Sequence, residues 1–238
     1  MTAQRDEQIA RVAIKVPGGA IHGDLALPVE PRGLVLFAHG SGSSRFSPRN
    51  RLVAAMLHEG GFGTLLFDLL TPQEEGIDER TAEYRFDIRL LAGRLITVTD
   101  WTMHDERTRT LGLGYFGAST GAAAALIAAA ELPDQIRAVV SRGGRPDLAE
   151  AVLGNIRAPT LLIVGGADLP VLSMNRTAQR RMTVTCELAI VPGATHLFEE
   201  PGALERVAEL ARDWFAMYLP THVAPGPRAD AETQEGTP

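Results

Sequence analysis

The sequence has very little cysteine, which limits how the fold can be cross-linked. Cys186 is the only cysteine among the 238 residues, so an intrachain disulfide is impossible. It lies in an apolar stretch over residues 183–191 that predicts a β-strand, where a free cysteine usually packs as a small apolar residue. We therefore expect a buried thiol without a catalytic role.

Long hydrophobic runs and an excess of positive charge are also missing. The first ten residues are polar and mixed in charge, without the apolar core of a secretory signal. The most apolar stretch, residues 122–130, is too short to span a bilayer. The formal net charge is -6 and the pI about 5.5, which gives no support for a nucleic-acid partner. These absences predict a soluble cytoplasmic protein that binds neither membranes nor nucleic acid.

The composition is that of a folded domain with loose ends. Apolar residues make up 45% of the chain and charged residues 22%, close to the average of globular proteins. Residues 1–8 are polar, and residues 221–238 are rich in Pro, Gly, Thr and acidic residues that bury too little to offset their ordering entropy. We predict a flexible N-terminus over 1–8, a single domain over 9–220 and a disordered tail over 221–238.

Short apolar runs alternate with helical patterns along the domain. A continuous apolar run such as residues 33–38 is typical of a strand buried on both faces of a sheet. The predicted strands span residues 9–16, 20–27, 33–38, 64–69, 111–116, 136–141, 160–164 and 183–191. The predicted helices span residues 47–60, 85–101, 119–131, 147–153, 173–181 and 202–219. This order predicts an α/β fold with about eight strands, mostly parallel, with an N-terminal antiparallel hairpin and helices on both faces.

One serine stands at a junction where such a sheet presents reactive groups. Residues 117–121 read Gly-Ala-Ser-Thr-Gly, and they join a predicted strand to a predicted helix. G-x-S-x-G is common by chance, and the alternative is a glycine-rich turn with Ser119 as a helix cap. The strand before and the helix after favour a sharp turn that exposes the hydroxyl as a nucleophile. The sequence therefore predicts that Ser119 is the nucleophile of a serine hydrolase.

A serine nucleophile needs a base, and the base needs an orienting carboxylate. His196 follows the last predicted strand, and Asp168 follows the strand before it, so both lie in loops at the carboxyl edge of the sheet. Their chain order, Ser then acid then His, is that of hydrolases with this type of serine turn. Helix capping is the alternative role of Asp168. Asp147 is the nearest rival acid, but it is expected to cap its own short helix.

Stabilising a tetrahedral oxyanion requires two N–H donors. One is expected to be the backbone N–H of Thr120, the residue after the nucleophile. The other is expected to be that of Ser41, in the glycine-rich loop 39–45 after the third strand. His39 is expected to brace this loop by hydrogen bonds. The loop lacks the G-x-x-x-x-G-K-[ST] spacing of a nucleotide-binding loop.

Together these motifs resemble the α/β-hydrolase superfamily, and within it the small dienelactone-hydrolase-like branch. The resemblance covers about residues 9–219 and rests on loop 39–42, the Ser119 turn, and residues 165–168 and 193–198. It implies an α/β-hydrolase fold, and the short connection from 141 to 159 implies that no large lid covers the site. Dienelactone hydrolases proper have a cysteine nucleophile where this chain has Ser119, which favours a general carboxylesterase over an enzyme for dienelactone.

Three arginines are candidates for holding a substrate carboxylate by a bidentate contact. Arg45 lies in the glycine-rich loop, and Arg142 and Arg145 follow the strand over 136–141. The alternative is that each pairs with a nearby acid or carbonyl and fixes its own loop. Residues 69–84 are expected to form one wall of the site.

These features predict a serine hydrolase that cleaves small carboxylic esters or lactones through an acyl-enzyme. An amidase, peptidase or thioesterase with the same triad is an alternative, and a non-catalytic scaffold that binds small molecules is an alternative of another class. No metal ligands or cofactor motif are visible, so we expect neither a metal nor a cofactor. The chain is expected to act as a monomer or homodimer.

Overall fold

The computed structural model describes residues 9–219, and within this range eight strands form one sheet in the order β1-β2-β4-β3-β5-β6-β7-β8. β1 pairs antiparallel with β2, and β2 pairs antiparallel with β4. Every later pairing, from β4–β3 to β7–β8, is parallel. The predicted mostly parallel sheet with an N-terminal hairpin is thus confirmed. The predicted flexible N-terminus and disordered tail lie outside the described residues.

The helices follow the strands in regular alternation. The strands are β1 (Ala10–Val16), β2 (Gly19–Ala26), β3 (Leu34–Ala38), β4 (Gly63–Phe67), β5 (Leu113–Ala118), β6 (Ile136–Arg142), β7 (Thr160–Gly165) and β8 (Cys186–Val191). The helices are α1 (Pro48–Glu59), α2 (Pro72–Thr81), α3 (Ile88–His104), α4 (Thr120–Glu131), α5 (Leu169–Arg181) and α6 (Ala203–Tyr218). A 3₁₀-helix, Pro146–Asn155, lies between β6 and β7.

The central strands separate two hydrophobic cores. Along β3, Leu34 and Leu36 point to the core shared with α3 and α4, whereas Val35 and Phe37 point to the core shared with α1 and α6. All five residues of this strand are buried, because helices cover both faces of the sheet. This explains why the central strands read as unbroken apolar runs.

Two helices differ from the prediction. Residues 72–81 form α2, which is absent from the predicted helices because its apolar side is too small to give a helical pattern. The helix is instead specified at its start, where Thr71 Oγ1 accepts the Glu74 N–H at 3.2 Å and Glu74 Oε2 accepts the Thr71 N–H at 2.8 Å. α5 begins at Leu169, earlier than expected, with Pro170 in its first turn.

The connection from β6 to β7 contains the 3₁₀-helix as its one regular element, in agreement with the predicted absence of a large lid. None of the helices in residues 9–219 is long and apolar enough to cross a membrane.

Cys186 is the partly buried first residue of β8, and burial raises the pKa of its thiol to about 12. A thiol with this pKa is not a nucleophile at neutral pH.

Candidate active site

Ser119 stands at the sharp turn between β5 and α4, in a strained backbone conformation. Its φ is 52° and its ψ is -117°, a region that L-residues rarely adopt. The backbone around it is fixed by hydrogen bonds: its N–H donates to the Arg142 carbonyl at 3.1 Å, and its carbonyl accepts the Arg145 N–H at 3.2 Å. Ser119 occupies the N-cap position of α4, but its side chain makes no capping hydrogen bond within the described chain. Its hydroxyl is therefore left for other partners.

Two glycines allow the strand and the helix to approach each other at this turn. A Cβ on Gly117 would lie 2.4 Å from the Ala122 Cα, and a Cβ on Gly121 would lie 2.3 Å from the carbonyl oxygens of Ala38 and His39. Neither glycine has a positive φ, so the requirement at both is for space. The G-x-S-x-G spacing is thus explained by the packing of α4 against β3 and β5.

The structure brings the three predicted triad side chains together from three separate loops. His196 Nε2 lies 3.3 Å from Ser119 Oγ, and His196 Nδ1 lies 2.7 Å from Asp168 Oδ2. The histidine side chain is 39% exposed, whereas the aspartate side chain is 12% exposed. In such a chain of hydrogen bonds the imidazole can accept the serine proton while the carboxylate orients the ring.

Asp168 is at the N-cap position of α5, so capping was its alternative role. Its side chain makes no capping bond within residues 9–219 and contacts His196 instead.

The expectation that Asp147 caps its own short helix was wrong, because this residue lies inside the 3₁₀-helix, whose N-cap position is Arg145. Asp147 forms a two-point ion pair with Arg145 at 2.9 and 2.7 Å.

The loops that carry Asp168 and His196 are tied together. The Ala167 N–H donates to the Ala194 carbonyl at 2.9 Å, and a Cβ on Gly165 would lie 2.3 Å from that same oxygen. Gly143, with a φ of +52°, borders the other side of the histidine, where an added Cβ would lie 3.5 Å from the imidazole Nδ1. These contacts hold the imidazole in its place.

His39 braces the glycine-rich loop, as expected. Its Nε2 accepts the Leu69 N–H at 3.1 Å, so its Nδ1 carries the hydrogen and donates to the Gly40 carbonyl at 3.0 Å. Burial lowers the pKa of His39, with weaker opposing effects from the Gly40 hydrogen bond and from Asp68. The imidazole is thus a neutral structural link between β3 and the end of β4.

The two predicted oxyanion donors lie on facing backbones. Thr120 is the first residue of α4, whose N-terminal N–H groups have no helical carbonyl to bond. The Ser41 N–H, however, donates to Thr120 Oγ1 at 2.9 Å. The Ser41 amide can therefore bind an oxyanion only if it exchanges or shares this bond.

A pocket of about 200 Å³ opens at Ser119 and His196. Arg142 lines it, but Arg45 and Arg145 are not among its lining residues. Arg45 pairs with Asp68, and Arg145 pairs with Asp147, so these two arginines fix their own loops. A larger groove of about 420 Å³ lies between the 3₁₀-helix and α5, and its lining contains neither Ser119 nor His196.

Sequence reasoning missed three polar residues of this pocket, Ser47, Arg49 and Asn50, at the N-terminus of α1. The sequence predicted the helix start, but nothing local indicates that this start faces Ser119.

Residues 69–84, which were expected to form one wall of the site, contribute no residue to the lining of this pocket. Within residues 9–219, no group of three His, Cys, Asp or Glu side chains is placed to hold a metal ion.

The fold and the catalytic geometry define an α/β hydrolase. The model of the dienelactone hydrolase family matches residues 21–219, and the chain belongs to this family. The family assignment agrees with the resemblance carried by the sequence motifs.

A crystal structure of a dienelactone hydrolase from Anabaena variabilis is 57% identical, with a TM-score of 0.88 over 90% of this chain and 99% of that one. Est1E from Butyrivibrio proteoclasticus is 17% identical and shares the fold, with a TM-score of 0.74 over 87% of this chain and 98% of that one.

Two curated proteins, from two strains of Mycobacterium tuberculosis, are 58% identical over 223 residues and bear the name "Putative phosphoribosyl transferase". The match covers 94% of this chain but 48% of each relative, so the chain spans about half the length of these proteins.

Proposed function

We propose that this hydrolase cleaves small carboxylic esters or lactones, with Ser119 as nucleophile, His196 as general base and Asp168 as the residue that orients the imidazole. The observation that carries the proposal is the continuous hydrogen-bonded chain, 2.7 Å from Asp168 to His196 and 3.3 Å from His196 to Ser119. General bases act from within hydrogen-bond reach, and such bonds often shorten when substrate binds.

In the first half of the reaction, Ser119 Oγ attacks the ester carbonyl carbon as its proton passes to His196 Nε2. The carbonyl oxygen becomes an oxyanion. When the tetrahedral intermediate collapses, the bond to the alcohol oxygen breaks, and His196 returns the proton to the leaving alkoxide. The product is an acyl group on Ser119 and a free alcohol, or, for a lactone, an acyl group that retains the alcohol at its other end.

In the second half, a water molecule takes the place of the alcohol. His196 accepts one proton of this water as its oxygen attacks the acyl carbon. Collapse of the second intermediate breaks the bond to Ser119 Oγ, and the proton on His196 passes back to the serine. The acid is released and the triad is restored.

The oxyanion is held by the N–H groups of Thr120 and Ser41. The Thr120 N–H lies at the N-terminus of α4, whose dipole also favours negative charge. Ser41 contributes when its N–H turns from Thr120 Oγ1 to the developing charge. Because the two loops are already hydrogen-bonded at 2.9 Å, their backbones are held close together before substrate arrives, and the Ser41 N–H has only to exchange its acceptor.

The size of the site and its surroundings favour small acyl or alcohol groups. The pocket at Ser119 holds about 200 Å³, below the range usual for drug-sized ligands. The transferase name of the mycobacterial relatives does not carry over to this chain, which covers 48% of each. A chain of Ser, His and Asp side chains serves acyl transfer to serine, and transfer of a phosphoribosyl group does not use it.

Hydrolysis of matched short p-nitrophenyl esters, thioesters and anilides tests the proposal and its alternatives. We expect esters to be cleaved fastest and Ser119→Ala to abolish cleavage. Ser173→Ala, at an exposed position of α5, is the matched control and is expected to retain full activity. Faster cleavage of the thioester or anilide would favour the thioesterase or amidase alternative. Full activity in Ser119→Ala would refute the proposed mechanism.

A further inference from the structure

The guanidinium of Arg142 is buried without an acidic partner. Arg142 is the last residue of β6 and is 7% exposed. Its Nε and Nη1 have no hydrogen-bond partner among residues 9–219, and the ring of Phe198, with its centroid 5.9 Å away, is at the outer limit of a cation–π contact. A buried charge without a counterion is costly, so this arrangement implies an anion that the described chain does not supply.

A second positive charge faces the same pocket. Arg49 lines it together with Arg142, and the buried Nε of Arg49 also has no partner in the described part of the chain. Arg49 Nη1 lies 3.3 Å from Glu199 Oε1, but the Glu199 side chain is 66% exposed, so this pair neutralises the arginine weakly.

The two guanidinium groups also repel each other. Burial, and then repulsion from Arg49, lowers the pKa of Arg142 to about 10. Arg142 therefore remains charged at neutral pH, and an anion bound between the two guanidinium groups would be attracted by both.

The N-terminus of α1 supplies further donors at this place. Ser47 caps this helix by accepting the Asn50 N–H at 3.3 Å, which leaves the serine hydroxyl hydrogen available for another bond. Ser47 and Asn50 are both buried and both line the pocket. Pro48 has no N–H, and the N–H groups of Asn50 and Arg51 are bonded to Ser47, so the Arg49 N–H and the helix dipole remain to attract an anion at this terminus.

We propose that this pocket, next to Ser119, binds a phosphate group of the substrate, so that the natural substrates are carboxylic esters or lactones that carry a phosphate monoester. The inference rests on the proposed function for the ester bond that is cut, and the phosphate itself does not react. A phosphate monoester has about -1.5 to -2 charges near pH 7 and three terminal oxygens. It can therefore contact Arg142, Arg49 and the α1 terminus at once, whereas a carboxylate has one charge and two oxygens.

Calorimetric titration with inorganic phosphate tests the anion site without any turnover. We expect wild-type protein to bind phosphate more tightly than acetate, and Arg142→Met and Arg49→Met each to weaken phosphate binding by about 10-fold or more. Arg137→Met is the matched control, because Arg137 is an exposed residue of the same strand β6. Because the Arg49 side chain is 32% exposed, its variant keeps the test valid if Arg142→Met does not fold.

Hydrolysis of the acetyl esters of glycerol and of glycerol phosphate then tests the substrate class. We expect a higher kcat/KM for the phosphorylated ester, and we expect Arg49→Met to remove this advantage while Arg137→Met retains it. Acetate binding as tight as phosphate binding, unchanged phosphate binding in both variants, or equal rates on the two esters would overturn the inference. If phosphate binds but no ester is cleaved, the proposed function fails while the anion site stands.

Discussion

Replacing Gly121 with alanine adds one methyl group at the point where α4 meets the end of β3. The Cβ would lie 2.3 Å from the carbonyl oxygens of Ala38 and His39, and real Cβ contacts essentially never fall below 3.0 Å. Relief of both contacts therefore requires a shift of about 0.7 Å at the helix N-terminus, and displacements near 1 Å in an active site cost on the order of 100-fold in rate.

We expect Gly121→Ala to lower kcat on a short p-nitrophenyl ester by about 100-fold and the free energy of unfolding by about 1–3 kcal/mol. The assays are steady-state kinetics and urea unfolding monitored by circular dichroism. Gly93→Ala is the control, since Gly93 lies in α3 with no atom within 4 Å of an added Cβ. This variant is expected to retain activity and to gain about 0.5–1 kcal/mol. Wild-type activity and stability in Gly121→Ala would refute the steric explanation of the motif.

Three further substitutions test single contacts. Burial lowers the pKa of His39, so below about pH 6.5 the unfolded chain binds a proton at this imidazole before the folded protein does. The free energy of unfolding is therefore highest above about pH 6.5 and falls by up to ~1.4 kcal/mol per pH unit as pH drops toward the folded pKa. His39→Gln should lose this dependence in urea unfolding between pH 5 and 7, and equal slopes for both proteins would contradict it. Thr71→Ala removes the cap of α2 shared with Glu74 and should cost about 1 kcal/mol in the same assay, whereas Thr71→Ser should cost less; no loss in either would mean that the cap is dispensable. Thr120→Val removes the oxygen that accepts the Ser41 N–H and so holds the Ser41 loop beside α4; the lost positioning should lower kcat about 10-fold, less than the ~100-fold loss of a whole oxyanion donor. Thr120→Ser should remain active. An unchanged or higher kcat in Thr120→Val would show that catalysis does not need this bond.

The sheet was predictable because its signal is local. Each buried strand is a run of apolar residues, and the turns between elements contain glycine or proline at the ends of those runs. α2 was missed because its apolar side is too small to give a hydrophobic periodicity. Its signal is instead the pair of Thr71 and Glu74 side chains, which cap the first turn. A search for capping boxes together with hydrophobic periodicity would have found this helix.

The candidate site was predictable where a residue's chemistry follows from its place at a strand end. Ser119, Asp168 and His196 each follow a buried strand, and parallel strands bring such positions to one edge. Arg49 gave no such signal, because its place beside Arg142 depends on how α1 packs across the sheet. The partners of Arg45 and Arg145 likewise depend on loop geometry, which the sequence pattern does not specify.

The identity of the nucleophile is the central claim, and labelling with a fluorophosphonate tests it most directly. The reagent phosphonylates a serine that an adjacent base activates, and mass spectrometry of the digested protein identifies the labelled residue. We expect one label per chain, on Ser119, abolished in Ser119→Ala and strongly slowed in His196→Ala. Absence of labelling in the wild-type protein, or a label on another residue, would contradict the mechanism proposed for this hydrolase.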